Sequence, residues 1–330
     1  MHGTNILVTG GAGFVGSHVC KALAKAGYRP IAFDNLERGH AWAVKWGPFE
    51  YGDLRNEGDI RRAFEARTPS AVIHLAAYTY VAESVIDPSR YYENNIGGTA
   101  KLLAACAAFG CRRIVLSSSS ATYGIPAQLP LVEETVQRPV NPYGYTKLVA
   151  EQLLKDVKAA HGIEHVSLRH FNAAGADPEG ELGEAHEPET HLIPLVLFAA
   201  IGRQPSVKIF GGDYPTRDGT CIRDYVHVSD LADAHVAALE WLASSRPSTT
   251  FNLGTGRGFS VAEVVQASEK LTGRPIRVEI CPARTGDPPT LIADSTKARE
   301  LLGWRPKFTD LDQQIEHAWR WFRTEMPQRE

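Results

Sequence analysis

Tyr143 and Lys147 stand four residues apart, which on a helix is about one turn, so a phenol and an ammonium can share one face. Tyrosine ordinarily ionises at about pH 10. A lysine cation beside it stabilises the phenolate and lowers that value. Such a phenolate can take the proton of an alcohol while a hydride leaves the same carbon. A run of serines, Ser117 to Ser120, follows the apolar residues Ile114, Val115 and Leu116, where a strand should end. By position Ser119 can orient the reacting oxygen, with Ser120 its adjacent competitor. The chemistry is general base catalysis coupled to cofactor redox, not serine acylation. Tyr145 is only two residues from Lys147 and faces elsewhere on the helix.

Hydride chemistry needs an acceptor, and the start of the chain offers a place for one. Gly10, Gly13 and Gly16 follow an apolar run and precede a helical pattern. In that context the first glycine permits a tight turn and the second lets backbone approach a pyrophosphate. The third lets helix and strand pack closely. The helix N-terminus then presents free N–H groups to phosphates. Asp34, at the end of the next strand, can accept from the adenosine ribose hydroxyls and would repel the extra phosphate of NADP. NAD is therefore the expected cofactor, with Arg38 close by as the residue that could weaken the preference. Asp53 can receive an adenine amino group or cap the helix beginning near Asn56. Lys147 has a second use, on the nicotinamide ribose hydroxyls. The small residues Ala76 and Ala77 would let a cofactor edge lie against the backbone. His74, inside an apolar strand, reads as a packed histidine.

These groups need a frame. Residues 5–9, 30–34, 71–76, 114–117 and 165–169 read as short buried strands, and residues 15–26, 57–66, 91–109 and 143–161 as the intervening helices. That rhythm predicts an α/β fold, a parallel sheet covered by helices on both faces. After Phe171 glycine and proline become frequent. Helices are predicted at 192–202, 229–242, 260–272 and 311–322, strands at 205–210 and 250–253, and loops at 213–223 and 282–289. The expected organisation is a dinucleotide-binding domain over residues 1–171, with segments around 213–256 contributing. Residues 172–330 mainly form a smaller C-terminal substrate-binding domain.

Bulk properties narrow the class. The 330 residues carry a net charge of −3, with lysine and arginine scattered, so nothing points to a nucleic-acid surface. No apolar run reaches the roughly 18 residues of a membrane span. The first residues enter a strand without the basic start and apolar stretch of a secretory signal. Five cysteines without a paired spacing fit a reducing cytoplasm.

The motifs at residues 9–18, 34–35, 52–56, 91–99, 117–124, 141–147, 169–176, 213–232 and 252–256 resemble the extended short-chain dehydrogenase/reductase family, and within it the UDP-glucose 4-epimerases. The resemblance runs over nearly the whole chain. It implies a Rossmann-type domain, tightly held NAD, a UDP-sugar substrate and a homodimer built on the helices at 91–109 and 143–161. It assigns the base to Tyr143, its partner to Lys147 and the hydroxyl to Ser119. It places NAD against Gly10, Gly13, Phe14, Val15, Gly16, Asp34, Asn35, Asp53, Leu54, Leu75, Ala76, Ala77, Asn94, Ser117 and Phe171, besides Tyr143 and Lys147. It places the UDP-sugar against Ser119, Tyr143, Asn172, His191, Leu192, Lys208, Phe210, Arg223, Arg284, Asp287 and Leu291. Guanidinium forks such as Arg223 and Arg284 suit a diphosphate, and Asp287 can accept from a ribose hydroxyl.

The chain also departs from the family. Thr79 stands where some members have a lysine, and Thr190–His191 where others have two asparagines; His191 still offers a ring nitrogen. Leu291 replaces a tyrosine found in several members, which leaves room for an N-acetylated sugar; a UDP-pentose has the same catalytic needs. A dehydratase needs acids after Ser119, and Ser120, Ala121 and Thr122 supply none. A reductase would consume external cofactor, and a non-catalytic NAD sensor would not need Tyr143. No metal is expected: His186 and His191 do not have the HExxH spacing, and Pro188 disfavours a helical ligand pair. Trp42 and Trp46 are expected to pack a surface loop or the adenosine end of the cofactor.

Overall fold

The computed structural model describes residues 3–284 and 286–324. In chain order its elements begin β1 (Asn5–Thr9), α1 (Phe14–Lys25), β2 (Arg29–Asp34), β3 (Phe49–Tyr51), α2 (Glu57–Arg67) and β4 (Ala71–His74). Next come α3 (Val81–Ile86), α4 (Pro88–Tyr91), a π-helical turn (Tyr92–Gly97), α5 (Gly98–Ala108), β5 (Arg113–Ser119) and α6 (Pro142–His161). The chain continues through β6 (Glu164–His170), β7 (Asn172–Ala174), α7 (Leu192–Ile201), β8 (Val207–Phe210), β9 (Ile222–His227) and α8 (Val228–Ala243). It closes with β10 (Thr249–Leu253), β11 (Gly258–Ser260), α9 (Val261–Thr272), β12 (Val278–Cys281), β13 (Thr290–Leu291) and α10 (Leu311–Arg323).

Seven parallel strands form the main sheet in the order β10-β6-β5-β4-β1-β2-β3. Its strands are apolar on both faces because helices cover both. Along β1, Ile6 and Val8 join a cluster with Val19 and Leu23 of α1 and Leu231 and Leu239 of α8. Leu7, between them, joins Phe64 of α2, Leu102 of α5 and Leu154 of α6 on the other side. The period-two alternation thus feeds two cores instead of one core and solvent. A third cluster, with Ile193 and Leu197 of α7, Val264 of α9 and Ile315 and Phe322 of α10, lies among the later elements.

The strand and helix rhythm is as expected, and α9 opens at Ser260, which forms a reciprocal capping box with Glu263. Three differences stand out. Residues 91–109 are not one regular helix: a π-helical turn intervenes. β9 lies where a loop was expected to run into the helix, and it joins β11, β13 and β7 in a second sheet. Its alternation is hidden by Arg223 and Asp224, charged residues in a strand whose positions are mostly buried. β4 stops at His74, and Leu75 and Ala76 turn both their N–H groups onto the Thr9 carbonyl.

Candidate active site

The C-terminal ends of β1, β2, β4, β5 and β6 open into one cavity of about 960 Å3, within the usual size of a small-molecule site. The glycine turn forms its floor. Gly10 has φ +74°, and a Cβ there would sit 2.7 Å from the Ala76 nitrogen. A Cβ on Gly16 would lie 2.0 Å from the Gly10 carbonyl oxygen, so α1 can cross β1 this closely only without a side chain. The Asp34 carboxylate accepts from Ala12 N at 3.1 Å and from Leu36 N at 2.8 Å. Burial pushes its pKa up, and those two N–H groups oppose the shift. Arg38 does not compete for that corner. It pairs with Glu83 at 2.9 Å, donates to the Glu187 carbonyl and lies over the Tyr80 ring.

Asp53 lines the same cavity, but it does not cap α2. Asn56 does, accepting from Gly58 N at 2.9 Å. Instead Asp53 pairs with Arg55 at 2.5 Å and accepts from Asn35 at 2.9 Å, and Arg55 first of all holds its pKa down at about 2. The π-helical turn brings Asn94 to the cavity wall. Such a bulge is a frequent feature of functional sites.

Helix α6 begins at the cap Asn141, which accepts from Gly144 N at 2.8 Å, with Pro142 in the first turn. A Cβ on Gly144 would come within 2.5 Å of the Ala121 oxygen. This contact presses the helix start against the turn that follows Ser119. Tyr143 is therefore buried beside Ser119, whose hydroxyl opposes the upward shift that burial imposes on the phenol. Ser119, rather than Ser120, is the serine paired with the phenol. Lys147 is also buried, and its amine donates to the Ser117 carbonyl at 2.7 Å. Burial lowers its pKa to about 8, with Glu151 pulling the other way. The expectation that Lys147 drives the Tyr143 pKa down is corrected here. Desolvation dominates both groups, and Ser119 provides the opposing interaction at the phenol. Tyr145 is half exposed and packs edge-on to Tyr92.

Every residue that the resemblance places against NAD or the UDP-sugar lines this one cavity. Leu291 and Arg223 are register partners on β13 and β9. Arg223 forms an ion pair with Asp287, and Arg284 lies 3.9 Å from the Phe210 ring centre. His74 is packed as expected, with Thr9 Oγ1 at 2.7 Å and Thr99 Oγ1 at 2.9 Å. The tryptophans do not line the cavity. Trp42 stacks on His40 and meets Trp321, while Trp46 lies under Lys21.

Sequence reasoning missed the residues that hold the site from behind. Asn95 accepts from Tyr78 N at 2.8 Å and donates to the Tyr78 carbonyl at 2.9 Å. It also donates to Thr146 Oγ1 at 3.0 Å, tying the π-helical turn to the residue before Lys147. Glu151, one turn beyond Lys147, takes Ser118 Oγ at 2.6 Å and pairs with Arg169. The only available signal for Glu151 was its i+4 spacing from Lys147, which on a helix suggests an ordinary surface ion pair.

The fold and this cleft define a nucleotide-dependent enzyme of the parallel-sheet class, and the chain belongs to the NAD dependent epimerase/dehydratase family, whose model matches residues 6–254. Among its relatives, the UDP-glucose 4-epimerase of Rhizobium meliloti (strain 1021) is 50% identical over 321 residues, covering 97% of this chain and 98% of that protein. The crystal structure of UDP-glucose 4-epimerase from Brucella ovis in complex with NAD is 52% identical, with a TM-score of 0.93, covering 96% of this chain and 97% of the other. The enzyme from Bifidobacterium longum in complex with NAD+ and UDP is 39% identical, with a TM-score of 0.92 and coverage of 96% and 98%.

Proposed function

We propose that this protein is a UDP-sugar 4-epimerase that interconverts UDP-galactose and UDP-glucose. One observation carries the reading: a buried Ser119–Tyr143 pair with Lys147 opens into the same cavity as the dinucleotide turn and as Arg223 and Arg284. The glycine turn, the start of α1 and the Asp34 carboxylate suit NAD: Gly10 and Gly16 leave no room for a Cβ, and the Asp34 carboxylate would repel the extra phosphate of NADP. Bound there, NAD supplies a reversible hydride acceptor and donor.

Tyr143 takes the proton of the sugar 4-hydroxyl and later returns it. Ser119 holds that oxygen at hydrogen-bonding distance from the phenol. Lys147 orients the ribose next to the redox ring and contributes positive charge to the site. Burial leaves the Tyr143 phenol reluctant to ionise, so proton transfer depends on positive charge assembled in the cleft. Arg223, Arg284 and Lys208 anchor the diphosphate, Phe210 and Asp287 the nucleoside, and Asn172, His191, Leu192 and Leu291 surround the sugar. Firm UDP anchoring with loose sugar contacts lets the 4-keto sugar turn over and receive hydride on its other face. Elimination would need a carboxylate near Ser119, and the turn after it carries Ser120, Ala121 and Thr122.

This reading divides the chain into a cofactor-binding part, residues 1–171 with pieces of 213–256, and a mainly UDP-sugar-binding part, residues 172–330. Its support is that β10 joins the main sheet although it follows the second sheet's β9. It includes a cytoplasmic homodimer, for which Tyr92 and Tyr145, half exposed on adjoining helical segments, offer a contact. Leu291 favours a second activity on UDP-N-acetylglucosamine, because leucine leaves more of the cavity open than tyrosine would. The test is incubation of the purified protein with UDP-galactose and a panel of UDP-sugars, without added reductant. Conversion to the 4-epimer with no net NADH is expected. No conversion of any UDP-hexose overturns the proposal.

A further inference from the structure

Four metal-ligating side chains converge on the segment between β7 and α7: Glu184, His186, Glu189 and His191. One donor atom from each lies within 4.8 Å of the others. His186 Nδ1 is 2.9 Å from Glu184 Oε1 and 3.8 Å from Glu189 Oε1. His191 Nδ1 is 3.9 Å from Glu189 Oε1 and pairs closely with Glu184 Oε1. A tetrahedral zinc ion with bonds of about 2.1 Å separates its ligand atoms by about 3.4 Å, which falls inside this spread.

Two atoms mark the cluster as more than a closed set of ion pairs. His186 Nδ1 and Glu189 Oε2 are buried without a hydrogen-bond partner, and the Glu189 side chain is only 4% exposed. His186 Nδ1 approaches Glu184 Oε1 to ion-pair distance without hydrogen-bond alignment. His186 Nδ1 and Glu189 Oε2 thus remain open to a further partner within a cluster whose donor atoms lie within 4.8 Å of one another. Among the described residues, no lysine or arginine forms a salt bridge with either glutamate. The other carboxylate cluster nearby, Asp177, Glu179 and Glu181, differs: Lys21 Nζ fills it at 2.5 to 2.8 Å.

The segment is held in shape by contacts of its own. Trp321 Nε1 donates to the Glu184 carbonyl at 2.9 Å. Thr190 N and His191 N donate to Glu189 Oε1 at 2.7 and 2.9 Å. The His186 ring meets the Phe14 and Tyr80 rings edge-on. All four ligands line the main cavity, which gives an ion its route in.

We propose that Glu184, His186, Glu189 and His191 bind one divalent transition-metal ion of the zinc type in the wall of the cleft. Two imidazoles with two carboxylates suit zinc; calcium and magnesium prefer all-oxygen shells. Coordination through Nδ1 leaves each ring proton on Nε2, fixing the tautomer of His191. The sequence expectation of no metal rested on helical ligand spacing. This site instead uses a loop and takes Glu184 from outside the 186–191 stretch. The ion ties down the loop leading into Leu192, a consequence that rests on the sugar-binding reading above, whereas the binding itself does not.

Purified holoprotein, treated with EDTA and dialysed, is titrated with Zn2+ in competition with a chromophoric chelator. One ion per chain is expected. Because losing even an outer partner of a metal site costs about 10–100-fold in affinity, Glu189→Gln and His186→Asn should each weaken uptake at least about tenfold. Zinc uptake by the wild type that is absent, non-stoichiometric or unchanged in both variants overturns the site. If the variants fail to fold, Co2+ titration of the wild type decides. The visible bands of a four-coordinate nitrogen and oxygen site support the proposal, and their absence overturns it. Neither readout depends on UDP-sugar turnover.

Discussion

Glu151 Oε2 and Arg169 Nη2 meet at 2.7 Å beneath α6, with side chains only 2% and 6% exposed. Ser118 donates to the same carboxylate, and Arg169 also reaches Tyr123 OH and the Glu133 carbonyl, both at 2.9 Å. One buried charge pair thus fastens α6 to β5 and β6, the elements that carry Tyr143, Lys147 and Ser119.

Glu151→Gln leaves the Arg169 guanidinium buried without its counter-ion. Breaking one side of a buried pair typically costs about 3–5 kcal/mol. A loss of that size in denaturant unfolding is expected, and a loss below about 1 kcal/mol would show that the guanidinium finds water or another acceptor. Since Glu151 raises the Lys147 pKa, the substitution also moves that pKa further down, which a shift in the pH profile of turnover would report.

Tyr143→Phe removes the proposed base and keeps the ring that packs with Tyr78 and Tyr91. Turnover of UDP-galactose is expected to fall by about 10^2–10^4-fold, the usual contribution of general base catalysis, with KM little changed. Undiminished turnover would remove Tyr143 from the reaction. The circular dichroism spectrum should be that of the wild type.

Burial holds the Lys147 pKa at about 8 instead of 10.5. The folded chain therefore binds fewer protons than the unfolded chain between those values. Its destabilising effect is complete below pH about 8 and fades as the pH rises towards 10.5. Relative to Lys147→Met, the wild type should gain stability across that window. Unfolding at pH 7 and pH 10 measures the difference, and a wild type that fails to gain stability relative to Lys147→Met as the pH rises would mean the amine is not desolvated.

Leu291 is buried on β13 beside Arg223 and faces the cavity. Leu291→Tyr should lower kcat/KM for UDP-N-acetylglucosamine at least about tenfold and change that for UDP-galactose by less. A difference of 1.4 kcal/mol in fit is enough for a factor of ten. Equal effects on both sugars, or no N-acetyl turnover by the wild type, would place the size limit elsewhere.

Much of this protein was legible in its sequence because the signals are local. β1 is an apolar run closed by a glycine turn, and α6 announces itself through its helical spacing over residues 143–161. The Tyr143 and Lys147 pair needed only the helical repeat. β9 was missed because Arg223 and Asp224 interrupt its apolar pattern; the charges are tolerated because Arg223 faces Asp287 and Asp224 accepts from Thr255, Gly256 and Ala293. The π-helical turn at Tyr92–Gly97 was missed because it adds a bulge without changing the composition of the helix.

The sequence by itself determined the strand and helix rhythm, the glycine turn and the phenol, amine and hydroxyl set, since each depends on neighbours within a few positions. Tertiary structure alone decided which charges are buried and with whom. It joined Glu151 to Arg169 across 18 residues and gathered Glu184 with His186, Glu189 and His191. It also reversed the expected direction at Tyr143, where loss of water raises the pKa of the phenol. Desolvation is a property of everything packed around a group, and that packing is fixed only when distant segments meet.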